Sequence, residues 1–423
     1  IKGMDEIYKK DGASHDLLQL LLQNQDSSLS PPNNWQNLYE TNETFLDRRN
    51  RFLDHLMARF AESFNDYVLL MYSMDYTTQQ ETKIDPANII KNKITFLKEY
   101  PEVSYERGRA FNYFPQKADF TIDTTQLWDT DNVSGLEKKA CLLGGIQNYY
   151  RRFLYCLGNA IIITTNDTPP KYQFVFKNAN NDTLTSVNTY ATMDDLNSVL
   201  PAFLDYVLEE DNYTVEPSGV KFRVSVTDSS GNSVAVTNDF DTEVQASNSI
   251  NLFINEFNNE CDNEGLHLIE HILLRPRNNQ FGLAPVCLDP NCDFCGEQDP
   301  YSFRISVVLP YWPAHLRSLA FRNYFENMIR KESPAHTTVK VCWVNNSSLF
   351  EFENAYKSWL TALANYSFDQ STINALQTAN DSLIQLLFNL HSEYPVATLH
   401  DCDESQDTNP VMLGKTILGS FKN

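Results

Sequence analysis

The sequence has no long run of apolar residues and few basic ones. No apolar stretch approaches the roughly 18 residues of a membrane-spanning helix, although 42% of the 423 residues are hydrophobic. Its 33 lysines and arginines stand against 55 acidic residues, which gives a formal net charge of -22. Basic residues occur in short pairs such as Arg48 and Arg49. Because this charge repels phosphate backbones and anionic lipid, we expect no nucleic-acid partner and no direct membrane span.

Cysteine is too sparse for a disulfide scaffold. The eight cysteines are dispersed over a long chain, whereas disulfide-dense folds concentrate them in short ones. Cys141 and Cys156 lie in apolar segments that we interpret as helical, which indicates buried thiols and a reducing compartment. The sequence begins without an initiator Met or an apolar signal core, so we expect a piece of a longer product.

The length predicts several cores, at about one compact unit per 150 residues. We expect an α+β, multidomain protein in which helical and mixed regions follow one another. The predicted regions are an N-terminal segment and linker at 1–40, a helical domain at 41–165, a tandem ββα repeat at 166–260, a small α/β unit at 261–345, and a helical hairpin with a β-prone arm at 346–423.

Three helices are predicted before residue 160. Apolar residues recur at three- and four-residue steps from Phe45 to Met71, which predicts one long helix with Asn42 as its N-cap. Residues 86–101, PANIIKNKITFLKEYP, predict a shorter helix. Ser134 and Glu137 have capping-box spacing at the start of the third.

The middle of the chain contains an internal repeat. Residues 171–207 align without a gap on residues 221–257, at a constant offset of 50 residues. In each copy, apolar and polar residues alternate, a turn follows, the alternation resumes, and the apolar residues then recur with the period of a helix. Since one copy cannot bury both its strands and its helix, the pattern predicts a four-stranded sheet backed by two helices.

The last third predicts a strand-helix-strand unit and a helical hairpin. Residues 303–309 alternate as a half-buried strand, a helix follows up to Pro334, and TTVKVCWV predicts the next strand. Ser348 and Glu351 have capping-box spacing at the start of one helix, and a second is expected from about Ser371 to His391. The tail, NPVMLGKTILGSFKN, predicts a β-prone arm without an obvious local partner, which could complete the sheet of a neighbouring protein.

Residues 267–271, HLIEH, match the H-x-x-E-H pattern of inverted zinc proteases. In a helix, His267 and His271 would share one face with Glu270 close enough to activate a metal-bound water. The run lies between Gly265 and Pro276 and is aliphatic on both sides, which favours a buried strand instead. In a strand Glu270 points away from the two histidines, so we expect structural histidines and keep a zinc-dependent metallopeptidase as the alternative function.

Residues 287–295, CLDPNCDFC, hold a C-x4-C-x2-C cluster. Cys287, Cys292 and Cys295 are candidate ligands of a structural zinc, which requires four ligands. The fourth would come from elsewhere, for instance Cys261, His267 or His271, because the sequence has no second C-x-x-C pair. Ordinary thiols in a loop are the alternative that we favour, and we expect no other cofactor.

Several long phrases resemble one known family. They are FLDHLMARFAESFNDY, NVSGLEKKACLLGG, GLHLIEHILLRPR, DPYSFRISVVLPYWPAHLRSLAFRNYFENMIRKESPAH and VKVCWVN. Together they resemble the C-terminal part of large baseplate wedge components of contractile injection systems, the phage-tail-like particles of the extracellular type. The resemblance spans most of residues 42–345 and rests on long phrases, not on a catalytic signature.

The resemblance implies a structural protein and no enzyme. Its implied partners are other wedge subunits, the hub and spike, and the sheath, in a ring assembly expected to be six-fold. Such subunits hold the sheath extended and transmit the trigger for contraction. The resemblance also implies a cytoplasmic location during assembly, as part of a particle that is released outside the cell.

Overall fold

The computed structural model describes residues 42–64, 72–75, 80–83, 86–275, 301–367 and 369–393. Helices and sheets are both present, so the protein is α+β. The chain divides into two compact units, residues 1–109 with 142–145 and residues 110–141 with 146–423. The predicted N-terminal linker, the cysteine cluster and the C-terminal arm lie outside the described residues, and the finer five-region division stays a prediction.

The first unit pairs two helices. Its elements are α1 (Asn42–Ala58), β1 (Tyr72–Asp75), β2 (Gln80–Lys83) and α2 (Pro86–Tyr105), with β1 and β2 antiparallel. Lys93 of α2 is fully buried against α1, where its ammonium donates to Asn50 Oδ1 at 2.7 Å and pairs with Asp54. Burial lowers the pKa of Lys93, and the hydrogen bond and charge of Asp54 oppose this effect.

The prediction of one long helix from Phe45 to Met71 is wrong at residues 59–64, and residues 65–71 lie outside the described residues. Asn42 is the first residue of the helix and not its N-cap, and the helix ends at Ala58, after which Ala61 takes a left-handed φ of 59°. Phe64 continues the apolar period outside the helix, because it is fully buried with its ring 5.8 Å from Phe96. Periodicity alone cannot detect a turn that keeps the next aromatic residue in the core.

The third helix, α3 (Gly135–Leu143), begins with the predicted capping box. Ser134 N donates to Glu137 Oε2 at 2.8 Å, and Glu137 N donates to Ser134 Oγ at 3.2 Å. Cys141 lies in this helix as a buried thiol, as expected. Cys156 lies beyond the helix and forms a disulfide with Cys261, so its prediction as a helical thiol is wrong. The expectation of a reducing compartment was based on free thiols at Cys141 and Cys156, and Cys156 is not a free thiol.

The repeat forms a sheet of six strands, not four. Its elements are β3 (Ile161–Thr164), β4 (Tyr172–Lys177), β5 (Thr183–Ser186), α4 (Met193–Val207), β6 (Tyr213–Ser218), β7 (Lys221–Thr227), β8 (Ser233–Thr237) and α5 (Glu243–Glu260). The strand order is β3-β4-β5-β8-β7-β6, and every neighbouring pair is antiparallel. The four predicted strands form its centre, and β3 and β6 add one edge strand to each copy.

The two copies are related by a local pseudo-twofold axis between β5 and β8. The pair Thr185–Val236 becomes the pair Ser186–Ala235 when each residue is replaced by its equivalent in the other copy. The bridges Tyr172–Tyr190 and Phe222–Phe240 also lie 50 residues apart. The predicted offset is therefore confirmed at the level of strand pairing.

Both repeat helices pack on the same face of this sheet. The ring of Phe174 lies 4.6 Å from Phe203 of α4, and that of Phe176 lies 4.9 Å from Phe257 of α5. All four rings are buried. Burial of such aromatic side chains contributes about 1.5–3 kcal/mol each, which is enough to fix both helices on the sheet.

A second sheet has the order β11-β10-β9, with β9 (His267–Glu270) antiparallel and β11 (Thr338–Val344) parallel to β10 (Arg304–Pro310). The predicted strand-helix-strand unit is confirmed, with α7 (Leu319–Glu332) between the strands and the short α6 (Ala314–Arg317) before it. β10 is buried on both faces, including Ser306 and Val308. The half-buried prediction was wrong because successive side chains of β10, which point to opposite faces, are all buried from Ile305 to Pro310, so other parts of the protein cover both faces.

The C-terminal hairpin is confirmed. It consists of α8 (Asn346–Ala364) and α9 (Gln370–Asn389), which pack against each other. The predicted cap at Ser348 is wrong, because Asn345 precedes the helix and its side chain accepts a hydrogen bond from Ser348 N at 3.0 Å. No helix in the described ranges combines the length and apolarity that a membrane crossing requires.

Candidate functional site

HLIEH forms a strand followed by a 3-10 turn. β9 covers His267 to Glu270, and the turn begins at His271 and ends at Leu274. The strand prediction is therefore confirmed, and the helix that an inverted zinc protease requires is not formed. The two histidines bond to different elements, His267 to Glu353 of α8 and His271 to Ser306 of β10.

Glu353 is the centre of a buried polar cluster. Its side chain is fully buried, and its Oε1 lies 2.6 Å from His267 Nε2. The same carboxylate accepts the backbone N–H of Leu154 at 2.8 Å and that of Tyr155 at 3.2 Å. The His267 ring also stacks on Trp128, with centroids 5.6 Å apart. One carboxylate thus joins α8, β9 and an irregular segment that has no helical or ladder partner for these amides.

Arg151 and Glu137 form a second part of this cluster. Arg151 Nη2 lies 2.9 Å from Glu137 Oε1, with both side chains at 3% exposure or less. Glu137 Oε1 also accepts Leu268 N at 3.2 Å, so α3, β9 and Arg151 meet at one oxygen. The guanidinium lies 3.9 Å from the centre of the Phe111 ring and donates to Tyr356 Oη. The additional partners of both charged groups offset part of the cost of removing this pair from water.

Glu270, the supposed general base, lies near these charges. Burial, followed by the charge of Glu137, raises the pKa of Glu270, and a hydrogen bond from Tyr113 and the charge of Arg151 act in the opposite direction. Burial also raises the pKa of Tyr113. A raised pKa occurs at catalytic carboxylates, but here the causes are burial and structural neighbours.

Asn346 and Asp205 extend the cluster to the repeat. The Asn346 side chain pairs with the backbone of Cys156, accepting its N–H at 2.8 Å and donating to its carbonyl at 2.9 Å. Asp205 of α4 accepts Asn346 N at 2.7 Å and Ser347 N at 3.0 Å, at the start of α8. Burial raises the pKa of Asp205 to about 6, and these hydrogen bonds offset part of that effect.

The disulfide completes the junction. Cys156 lies immediately before the repeat, and its partner Cys261 lies immediately after α5. The carbonyl of Cys261 accepts the indole N–H of Trp312 at 2.9 Å. We name the set Glu137, Arg151, Cys156, Asp205, Cys261, His267, Asn346 and Glu353 the junction cluster.

The junction cluster is arranged for holding segments together. His267, Glu353, Arg151 and Glu137 are each exposed by 3% or less, so a substrate cannot contact them in this conformation. Within the described ranges, no three His, Cys, Asp or Glu side chains are grouped to hold a metal ion. Cys287, Cys292 and Cys295 lie outside the described residues. Of the proposed fourth zinc ligands, Cys261 is bonded to Cys156.

Sequence reasoning identified His267, Glu270 and His271 but missed most of the junction cluster. A signal was present for Glu353, which follows Phe352 in FEFENAYKSW on the apolar side of a predicted helix. A carboxylate in that position has to find buried donors. Arg151 gave a similar signal inside the apolar run YYRRFLYCLG. The partners themselves lie up to 205 residues away and could not be paired from sequence.

Neither a comparison with protein-family models nor a comparison with curated protein sequences finds a match to this chain.

Proposed function

We propose that this protein is a structural baseplate wedge subunit of a contractile injection system, which links hub and spike to sheath and transmits the contraction trigger. Its partners in this role are other wedge subunits, the hub and spike, and the sheath, in a ring. The phrases that resemble the wedge family suggest the role, and they include the segments that form β9, β10 and α7.

The observation that best supports this role is the junction cluster. Its charged groups bond to backbone amides of other segments, such as Leu154 and Tyr155 by Glu353 across 199 and 198 residues. A subunit that transmits force needs its segments joined in this way, because packed interiors deform little and pass strain on. The motif residue His267 also joins two segments, because it bonds to Glu353 of α8.

Deleting the gene in the producing cell tests this role. We expect particles without assembled sheathed tubes, seen by negative-stain electron microscopy, and restored assembly when the wild-type chain is supplied. Normal sheathed tubes in the absence of the chain would exclude a wedge function.

A matched variant separates the wedge role from the zinc peptidase alternative. Glu270→Gln keeps the size of the side chain and removes the carboxylate that a peptidase would use as its base. We expect Glu270→Gln to restore particle assembly like the wild type, and we expect purified wild-type chain to leave peptides uncut. Peptide cleavage that the wild type performs and Glu270→Gln loses would instead support the peptidase.

A further inference from the structure

Strand β3 forms one edge of the six-stranded sheet, and its side chains are apolar and exposed. Ile161, Ile162 and Ile163 are 46%, 37% and 40% exposed. Within the described part of the chain, β3 pairs with β4 on one side and with no strand on the other. Proteins usually cover or charge such an edge, because it invites pairing with another strand.

The opposite edge of the same sheet is protected. β6 carries Pro217, which has no N–H to donate, and Glu216, whose carboxylate lies 3.6 Å from Arg223. Proline and charge are the usual means of keeping an edge strand unpaired. Since β3 and β6 occupy equivalent positions in the two copies, the sequence protects one edge and leaves the other suited to pairing.

The ladder shows which backbone groups of β3 point outward. Thr165 N donates to Lys171 O at 2.8 Å, in the same register as the β3–β4 pairs. Hydrogen-bonded pairs alternate along an antiparallel ladder, so Ile163 bonds inward to β4. The N–H and C=O groups of Ile162 and Thr164 therefore point away from the sheet.

The partners on β4 agree with this assignment. Tyr172 pairs with Thr164 and donates to the carbonyl of Tyr190, and Phe174 pairs with Ile162 and donates to Ser186 Oγ. Both β4 residues thus direct their N–H groups away from β3. Ile162 and Thr164 offer an added strand two donors and two acceptors.

A cavity of about 250 Å³ lies next to the start of β3. It is lined by the apolar side chains Ile161, Phe176, Phe253 and Phe257, together with the polar side chains Asn159, Lys177, Glu256 and Glu260. The aromatic part suits an apolar side chain of an added strand, and the two glutamates favour a basic one nearby.

Residues 409–423, NPVMLGKTILGSFKN, have the matching chemistry. They contain Lys415 and Lys422 and no acidic residue, in a chain whose formal net charge is -22. In a strand, Lys415 and Ile417 would share one face, as alternate residues do. This segment therefore offers a basic and a β-branched residue on one face, which suit the acidic and the apolar parts of the cavity.

The chain is long enough to bring this segment to β3. Glu393 lies near Asn345, whose Nδ2 donates to the Glu393 carboxylate at 3.1 Å. The next residue, Asn346, holds the backbone of Cys156, five residues before β3 begins. Residues 394–408 can span up to roughly 50 Å when extended, which exceeds the distance that these successive contacts leave to cover.

We propose that residues 409–423 dock on the outer edge of β3 within the same chain and add a seventh strand to the sheet. The backbone groups of Ile162 and Thr164 receive the strand, and the cavity takes one of its apolar side chains. Docking within one chain is favoured over docking between copies, because a short tether gives an effective concentration on the order of millimolar. This inference does not depend on the proposed wedge function.

Hydrogen exchange of the full chain, followed by mass spectrometry of peptides that cover β3, tests the docking. The outward amides of Ile162 and Thr164 should exchange at least about tenfold more slowly when paired than when open to water. In the variant Ile417→Pro/Leu418→Pro, which cannot form the added strand, this peptide should gain about two deuterons at early times. The amide of Ile163 bonds inward and serves as an internal control.

The variant Ile417→Val/Leu418→Val is the matched control, because it keeps β-branched or apolar side chains and should retain protection. Equal exchange in the wild type and the proline variant would overturn the proposal. Protection that disappears on tenfold dilution would also overturn it, since that result assigns the strand to a second copy.

Discussion

At the scale of single residues, the protein uses buried side chains in place of backbone partners. The segment around Leu154 has neither helix nor ladder, and its amides bond to Glu353 and Asn346. A buried N–H without a partner costs about 1–3 kcal/mol, so these acceptors are essential to the fold. The stability of the second unit should therefore depend on a few polar residues.

Glu353 is the clearest case. Glu353→Ala leaves two amides and the His267 imidazole without their acceptor, and we expect it to lower the free energy of unfolding by about 3–5 kcal/mol. Glu353→Gln keeps one acceptor oxygen and should cost less, about 1–2 kcal/mol. Urea unfolding followed by the fluorescence of the buried tryptophans measures both. Glu351→Ala, at an exposed position of the same helix, is the control. Equal stability of Glu353→Ala and Glu351→Ala would contradict the role of Glu353 as the acceptor for these buried groups.

Asp205 gives a prediction on pH. Burial raises its pKa from 3.8 to about 6 in the folded protein. The folded state therefore binds a proton more tightly than the unfolded state, and this contribution to stability is lost as pH rises from about 4 to about 6. The stability of the wild type relative to Asp205→Asn should fall by about 2 kcal/mol between pH 4 and pH 7. Urea unfolding of both proteins across this range measures the difference, and a constant difference would contradict the shift.

At the scale of elements, the repeat offers two helix caps for direct comparison. Thr192 Oγ1 accepts Asp195 N at 3.1 Å, and the Asp195 carboxylate accepts Thr192 N at 3.1 Å. In the second copy, Thr242 Oγ1 accepts Gln245 N at 3.3 Å, and the described hydrogen bonds include no return bond from Gln245. The copies therefore differ by one reciprocal bond.

This difference predicts unequal effects at equivalent positions. Asp195→Ala should lower the free energy of unfolding by about 0.5–1 kcal/mol, because it removes a cap bond and a negative charge at a helix N-terminus. Gln245→Ala should change it by less than about 0.5 kcal/mol. Thermal unfolding of the two variants under identical conditions makes the comparison, and equal losses would show that the return bond contributes nothing.

The elements that could be predicted from the sequence are those whose apolar residues recur at a regular spacing. The 50-residue offset found both ββα units, because each copy repeats the same alternation and helical face. It did not find β3 or β6, which lie outside the aligned windows, and Ile161–Thr164 is too short to show a period. The helix end at Ala58 was missed because Phe64 stays in the core.

The junction cluster was harder to predict for a different reason. Its bonds join residues far apart in sequence, and periodicity describes only near neighbours. The capping box at Ser134 and Glu137 was predictable, since it spans three residues. The second use of Glu137, as the partner of Arg151 and Leu268, depends on tertiary packing.

At the scale of the whole molecule, the disulfide encloses the repeat. Cys156 and Cys261 are 105 residues apart, and all six strands and both helices of the repeat lie between them. Closing so long a loop reduces the entropy of the unfolded chain. Such a bond contributes about 2–4 kcal/mol to stability.

The variant Cys156→Ser/Cys261→Ser should therefore unfold at lower urea concentration than the wild type. Reduction with dithiothreitol should lower the stability of the wild type by a similar amount, about 2–4 kcal/mol. The double variant itself should be insensitive to the reductant, which makes it the control for other effects of the reagent. Identical stability with and without dithiothreitol in the wild type would contradict the prediction.

The disulfide between Cys156 and Cys261 also determines how tension passes through the chain. A pull transmitted along the backbone through Cys156 and Cys261 passes across the sulfur bridge and bypasses the strands between them. The repeat can then remain folded while the regions on either side of it are stretched. Reduction would release an additional length on the order of 350 Å as the enclosed segment extends.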